Sequence, residues 1–359
     1  MKKNPLDLSE KEWSDWCSAV DGKSHGAAKI LSKIFKHQQL SPGEYKEISQ
    51  VQRTRLQEEF DWSLPAVDSI LSSGDDSDKI LITLKDGTLT ECVLMPIKSR
   101  ITVCVSCQVG CRLACTFCQT GRLGLTRNLT SGEILAQLII ARQRLQDRGI
   151  NQPISNVVFM GMGEPLDNYD EVVKACRILL DTRCFNLSRH RVSISTSGLV
   201  PEIRRLADDL PLSFAVSLHA ADDAKRTKLM PINRRYPLKD LKEAMVYYQQ
   251  KTKVKIFVEY IMINGANDTV DDAANLVNFL QGIEATVNLI PFNPHPGSRF
   301  TSSTQEQIEK FRQHLKSAGV LAPVRYSRGR DVSAACGQLA TKRKEELLLS
   351  PRTLLRNRS

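Results

Sequence analysis

The chain has 359 residues, enough for one large domain and a smaller one. With 41% hydrophobic and 25% charged residues, no internal repeat and no low-complexity stretch, it reads as a globular protein able to bury a core. The formal charge of +10 favours a polyanionic partner, most simply nucleic acid.

The start, Met1-Lys-Lys-Asn-Pro-Leu-Asp-Leu-Ser-Glu10, puts no apolar run behind its lysines, so it does not read as a signal peptide. No stretch reaches the roughly 18 apolar residues of a spanning helix. Ten cysteines could suggest a disulfide framework, but five of them sit within fifteen residues. A chain this large does not need such staples. The expectation is a cytoplasmic, reducing compartment and no membrane partner.

Residues 1–75 are rich in charge and helix formers and are expected to form a small helical domain. Ala27 to Phe35 has helical spacing, and Tyr45 to Phe60 continues as helix. Gly74-Asp-Asp-Ser-Asp78 reads as a solvated turn and a boundary. Lys79 to Lys85 and Leu89 to Met95 then form a hairpin about Asp86-Gly87.

Beyond the cysteine-rich stretch, strands and helices alternate. Thr130-x-x-Glu133 is a capping box opening a helix to about Gln146. Strands are expected at 157–160, 192–196, 214–218, 256–261 and 286–290. Helices are expected at 170–180, 200–208, 238–251, 270–281 and 304–317. Such alternation predicts an α/β fold with a parallel sheet closed into a complete or partial barrel, spanning 76–340. Reactive groups in such barrels sit in the loops after the strands. The cysteine loop, Gly161-Met-Gly163-Glu164, Ser195 to Gly198, Ser217-Leu218-His219 and Pro291-Phe-Asn293 all fall there. The segment from Thr341 carries six Lys or Arg against two Glu and reads as a basic tail, 341–359.

The densest signal is Cys104-Val-Ser-Cys107-Gln-Val-Gly-Cys111-Arg-Leu-Ala-Cys115-Thr-Phe-Cys118. Cys111, Cys115 and Cys118 are spaced Cys-x3-Cys-x2-Cys. Three thiolates can hold three irons of a 4Fe–4S cluster and leave the fourth open, whereas electron-transfer clusters are closed by four. An open iron points to chemistry on a bound small molecule. The competing reading is a zinc knuckle made by two Cys-x-x-Cys pairs, but only seven residues separate Cys107 from Cys115, shorter than the usual zinc spacing.

This loop resembles that of radical S-adenosylmethionine (SAM) enzymes, in which the open iron chelates SAM and one electron yields a 5′-deoxyadenosyl radical. Gly161-Met-Gly-Glu-Pro165 resembles the motif that meets the SAM ammonium. The resemblance narrows with Cys104-Val-Ser-Cys-Gln-Val-Gly-Cys111, Gly161-Met-Gly-Glu-Pro-Leu166, Ser195-Thr-Ser-Gly198, Ser217-Leu-His219, Leu229-Met-Pro-Ile-Asn233, Pro291-Phe-Asn-Pro294 and Ala334-Ala-Cys-Gly-Gln-Leu339. Together these resemble the RlmN/Cfr family of RNA methyltransferases, from about Lys79 to Ala340; the front helices more loosely resemble that family's accessory RNA-binding domain.

The resemblance implies a partial (β/α)6 barrel, a 4Fe–4S cluster on Cys111, Cys115 and Cys118, and two SAM molecules per turnover. It implies SAM contacts at Gly163, Glu164, Ser195, Ser217, Leu218, His219 and Asn293. It implies that Cys336 is the methyl carrier, methylated by one SAM by direct displacement. A second SAM then supplies the radical that removes hydrogen from the S-methyl group, and the methylene radical adds to an adenine ring carbon. Cys104 would help deprotonate the adduct and resolve the thioether link by a disulfide with Cys336; Glu91 would be a proton acceptor. The implied product is adenosine methylated at carbon 2, in the peptidyl transferase centre of 23S rRNA and at position 37 of tRNA. The sister Cfr branch modifies carbon 8. The implied protein is a monomer taking electrons from a donor such as flavodoxin.

Other readings stay open: a zinc-dependent RNA-binding protein without catalysis, or a radical SAM enzyme acting on protein or small molecules. One departure stands out, Cys107 where the family commonly has serine; inert packing is expected there. Cys17, Cys92, Cys176 and Cys184 lack ligand spacing and read as structural.

Overall fold

The fold comes from a computed structural model, which describes residues 2–22, 24, 26–295 and 297–339. The basic tail expected at 341–359 lies outside the described residues, as does residue 340.

The front segment forms helices α1 (Glu10–Asp21), α2 (Gly26–Leu31) and α3 (Gln50–Glu59). Ser9 starts α1 through a reciprocal capping box with Glu12, and Gly22 ends it in the left-handed conformation. The helix expected across Tyr45 to Phe60 is shorter: Ser49 accepts a hydrogen bond from the Gln52 amide and starts α3 only at Gln50.

Strands β1 (Ala66–Ser72), β2 (Asp78–Thr83), β3 (Leu89–Ile97) and β4 (Arg100–Cys104) form an antiparallel meander. The Gly74–Asp78 turn therefore joins two strands of one sheet, and the sheet begins at Ala66, ahead of the boundary expected at residue 75. The cysteine loop holds a small hairpin, β5 (Gln108–Cys111) with β6 (Gly124–Asn128), and a short helix α4 (Gln119–Arg122).

From there the alternation holds. Helix α5 (Ser131–Asp147) leads to β7 (Asn156–Phe159), α6 (Tyr169–Leu180) to β8 (Val192–Thr196), and α7 (Val200–Asp209) to β9 (Ser213–Ser217). Helices α8 (Asp223–Leu229) and α9 (Leu238–Thr252) lead to β10 (Ile256–Met262), and α10 (Val270–Leu280) to β11 (Ala285–Pro291), before α11 (Gln305–Ser317). Strands β4, β7, β8, β9, β10 and β11 are parallel neighbours in that order. Six parallel strands with helical crossovers make the partial barrel expected from the sequence. After α11 the chain runs parallel beside β11, through bridges at Leu321 and Val324, and then crosses the mouth as the segment 326–339.

Helix α5 is buried almost all round because the sheet covers one side and the front segment another. Asp7 accepts a hydrogen bond from the Gly132 amide at 2.7 Å, at the start of α5, and Arg142 donates to the Phe35 carbonyl at 3.0 Å. Front-segment residues such as Trp13, Phe35 and Phe60 share one hydrophobic cluster with the barrel core.

The capping box of α5 gives a direct check on this architecture. The Thr130 hydroxyl accepts from the Glu133 amide, and Glu133 reaches back to the Thr130 amide at 3.0 Å. Thr130→Ala is expected to cost about 1 kcal/mol, read as a lower denaturation midpoint at unchanged slope.

Candidate active site

Four of the five strand-end loops singled out in the sequence, all but Pro291–Asn293, open onto one cavity of about 840 Å³, counting its open mouth. Cys111, Cys115 and Cys118 line it, together with Gly163, Glu164, Ser195, Ser217, His219 and Cys336.

In the cysteine loop, Ala114 takes a left-handed backbone conformation (φ 53°), which folds the chain back between Cys111 and Cys115. The Cys118 amide donates to the Cys115 carbonyl at 3.1 Å, and the Thr116 amide ties the loop to the Leu229 carbonyl at the end of α8. Among the described residues, no three Cys, His, Asp or Glu side chains converge closely enough to hold a single metal ion. A 4Fe–4S cube asks for something different, one thiolate on each of three irons. Three cysteines around one cavity, within electrostatic reach of one another, fit that demand.

After β7 the backbone must pass close to the cysteine loop. A Cβ at Gly163 would meet Gln108 Cβ at 2.6 Å, and its φ of +101° further excludes a side chain. Glu164 follows, buried. Its Oε2 accepts from the Ser197 amide at 2.8 Å and its Oε1 from the Leu166 amide at 3.1 Å. Burial nevertheless outweighs these bonds and raises its carboxyl to about 7.

His219 also has a left-handed backbone (φ 58°), and its ring packs edge-on against Phe117 at 4.7 Å. Its Nδ1 accepts from the Ile261 amide at 3.1 Å. Burial, with the Arg226 charge nearby, lowers its pKa to about 3, so the neutral ring carries its proton on Nε2. Leu218 is buried and offers its carbonyl to Arg226 rather than a side chain to the cavity.

Cys336 also lines this cavity, on a segment bonded to the cysteine loop through the Gln119 amide and the Gly337 carbonyl. It is solvent-accessible through the mouth, yet desolvation by surrounding protein raises its thiol to about 11, with Glu259 adding a further upward push. Asn293 does not line the cavity; its amide donates to Ser327 Oγ at 2.8 Å and to the Cys336 carbonyl at 3.4 Å. Cys104 lies buried in a small apolar cluster with Val93, Met162, Ala334 and Leu339, beneath the Cys336 segment. Its thiol is pushed up by burial and then by Cys336, which places the two sulfurs within each other's electrostatic reach.

Glu91 lies outside the cavity lining, buried in β3, with Oε1 at 3.6 Å from Lys79 Nζ. Lys79 also donates to the Ser333 carbonyl, so this ion pair touches the Cys336 segment from below. Cys107 is buried against Met162 within the main hydrophobic cluster, in keeping with inert packing.

Two side chains were missed by the sequence reading. Glu259, on β10, lines the cavity and accepts from Asn288 Nδ2 at 2.8 Å. A carboxylate inside the apolar run Ile256-Phe-Val-Glu-Tyr-Ile-Met262 was the available signal. Arg226 is fully buried behind the loops, and nothing in its local sequence marks it.

Comparison with known proteins agrees with this geometry. The model of the Radical SAM superfamily matches residues 105–280. The dual-specificity RNA methyltransferase RlmN of Rhodopseudomonas palustris (strain TIE-1) is 45% identical over 87% of this chain and 82% of its own length. The chain belongs to the RlmN family of radical SAM RNA methyltransferases. The probable dual-specificity RNA methyltransferase RlmN of Clostridium perfringens (strain SM101) is 41% identical over 94% of this chain and 96% of its own. A crystal structure of a radical SAM methyltransferase from Sphaerobacter thermophilus superposes with a TM-score of 0.88 at 39% identity. That match covers 94% of this chain and 98% of the other. The resemblance drawn from the motifs is thus borne out at the level of family, fold and enzyme class, and the reading as a non-catalytic protein falls.

The acid groups of the cavity give a pH test. Burial raises Glu259 to about 7 from an ordinary 4.5. Between those values the unfolded chain has released a proton that the native site still holds, so stability falls as pH rises. Below that window the effect vanishes; above it the loss is complete. In the iron-free chain, Glu259→Gln is expected to raise stability at pH 8 by up to about 3 kcal/mol. Little change is expected at pH 4, and thermal melts at the two pH values read the difference.

Proposed function

We propose that this enzyme methylates carbon 2 of adenosine in 23S rRNA, in the peptidyl transferase centre, and adenosine 37 of tRNA. Cys336 is its methyl carrier. One arrangement carries the reading: Cys336 lines the same cavity as Cys111, Cys115 and Cys118. A carrier thiol must meet both the SAM methyl group and the radical, so sharing one cavity is the minimum requirement. The names of the relatives, dual-specificity RNA methyltransferases, support the two RNA classes.

Cys111, Cys115 and Cys118 would hold the cluster, with Gly163, Glu164, Ser195, Ser217, Leu218, His219 and Asn293 around SAM. When bound, cluster and SAM supply a carbon-centred radical able to take hydrogen from a methyl group. Glu164 offers a carboxylate to the SAM ammonium, and the nearby cation lowers its raised pKa. Neutral His219 presents its Nε2–H as a donor. Asn293 contributes by fixing the Cys336 backbone, in keeping with its bond to that carbonyl.

Cys336 loses its thiol proton and attacks the methyl carbon of a first SAM. A sulfur–carbon bond forms as the sulfonium bond breaks, leaving S-adenosylhomocysteine. Once the S-methylene carbon is joined to the adenine, the adduct would give up its unpaired electron to the oxidised cluster as the base's own hydrogen leaves as a proton, which leaves a closed-shell thioether. Cys104 then attacks Cys336 Sγ: the disulfide forms and the sulfur–methylene bond breaks. The electron pair left on carbon takes up a proton, giving the new methyl group. Cys104 lies beneath the Cys336 segment, as this step requires. Glu91, buried against Lys79, would act on the proton balance of the Cys104 side from behind the cavity.

The front helices, 1–75 with the boundary drawn from sequence, would bind RNA, with the net charge of +10 supporting phosphate contacts. An unpaired adenosine would enter the mouth. The protein would work as a cytoplasmic monomer with a flavodoxin-like electron donor. No described helix is long and apolar enough to cross a membrane.

Anaerobic reconstitution with iron and sulfide, then assay on unmodified 23S rRNA fragments and tRNA with labelled SAM, tests the reading. Digested RNA is expected to yield 2-methyladenosine; 8-methyladenosine alone would assign the chain to the Cfr chemistry instead. Cys336→Ala is expected to abolish methyl transfer to RNA while leaving the iron content unchanged. Full turnover by that variant would remove the carrier role.

A further inference from the structure

Arg226, on α8, is fully buried directly behind the cavity. Its guanidinium is bonded on every side, yet almost wholly to neutral groups. Nη2 donates to the carbonyls of Ser197 at 2.7 Å and Ser217 at 3.3 Å, and Nε to that of Leu218 at 3.2 Å. Nη1 donates to Asn233 Oδ1 at 2.8 Å. Among the described residues no carboxylate forms an ion pair with it. Asp223 reaches it only through Asn233, whose Nδ2 donates to Asp223 Oδ1 at 2.8 Å.

A buried cation without a counter-charge is strongly disfavoured. Hydrogen bonds to carbonyl dipoles compensate only in part. On the other side the Cys115 sulfur lies within electrostatic reach of the guanidinium. The cysteine loop is also tied to the end of α8, where the Thr116 amide donates to the Leu229 carbonyl at 2.9 Å. Three thiolates outweigh the positive charge of an oxidised 4Fe–4S core, so a cluster seated there is a net anion. Reduction by one electron makes it more so.

We propose that Arg226 is a positioning residue whose counter-ion is the iron–sulfur cluster itself, bracing the rim loops after β8 and β9 around it and easing its reduction. This rests on the reading of Cys111, Cys115 and Cys118 as cluster ligands. The arginine couples two demands in one side chain. Its three carbonyl acceptors fix the Ser197 and Ser217–Leu218 backbones at the edge of the cofactor space. Its charge stabilises the electron that arrives from a low-potential one-electron donor, because a fixed cation beside an anion is worth most in a water-poor site.

The test is an anaerobic redox titration of the reconstituted full chain with dithionite and mediators, following the reduced cluster by electron paramagnetic resonance. Arg226→Gln, which keeps donors but removes the charge, is expected to lower the reduced-to-oxidised ratio at a fixed potential near the midpoint about tenfold. That is a midpoint more negative by about 59 mV for one electron. Arg226→Lys, which restores the charge, is expected to return most of the shift. A purely packing role would not follow charge in this way. A glutamine chain with intact cluster and wild-type midpoint overturns the proposal, as does a lysine chain shifted as far as glutamine.

Should the glutamine chain fail to fold or to hold iron, Asp223→Asn decides. Removing the carboxylate that partly screens Arg226 is expected to move the midpoint to more positive values; no shift or a negative one overturns the proposal. Failure of the site reading looks different: the wild-type chain itself would incorporate no iron and sulfide.

Discussion

Cys336 faces the barrel mouth because a segment without regular structure is pinned across it at both sides. On one side the turn between β1 and β2 holds it: Ser73 Oγ and the Gly74 amide donate to Asp331, and the Gly329 amide donates to Asp75 Oδ2 at 2.9 Å. On the other side the cysteine loop holds it. The Gln119 amide donates to the Gly337 carbonyl at 2.8 Å, Thr120 Oγ1 to the Leu339 carbonyl, and Gln338 Nε2 to the Pro294 carbonyl at 2.7 Å. Ordering a loop costs conformational entropy for each residue fixed, and these bonds offset it at one place only, over the cavity. The same bonds bring residue 336 beside residues more than two hundred positions earlier in the chain.

Around that cavity the protein gathers groups held away from their ordinary protonation. Glu164 and Glu259 are raised to about 7 and His219 is lowered to about 3, each mainly by burial. Perturbed groups crowded in one cavity are a mark of a working site rather than a structural core. Backbone amides at the strand ends bond Glu164 and His219, and the Asn288 side chain on β11 bonds Glu259, so the parallel barrel sets both the shape of the site and its electrostatics.

Much of this was legible in the sequence, and the reason is physical. The strands and helices after Thr130 alternate with clear apolar periodicity, and each motif sits at a strand end where a barrel exposes it. Strand β4 was not legible: Arg100–Cys104 is five residues long and runs directly into the cysteine loop. Strand β1 was masked because Asp68 interrupts it at a register break between Val67 and Ser69 and its face is largely exposed. Arg226 and Glu259 owe their roles to neighbours brought together only by the closed sheet. Asn293 and Leu218 show the complementary limit, since a motif assigns a position to the site without saying which way its side chain turns.

The central claim is that the three cluster cysteines and the sulfur of residue 336 share one cavity. Loading Cys336 with a ¹³C-labelled methyl group and recording electron–nuclear double resonance on the reduced cluster tests it most directly. The account predicts a resolved dipolar coupling between the cluster spin and that carbon, lost in Cys336→Ala. A label found by mass spectrometry on Cys336 with no coupling to the cluster would contradict it.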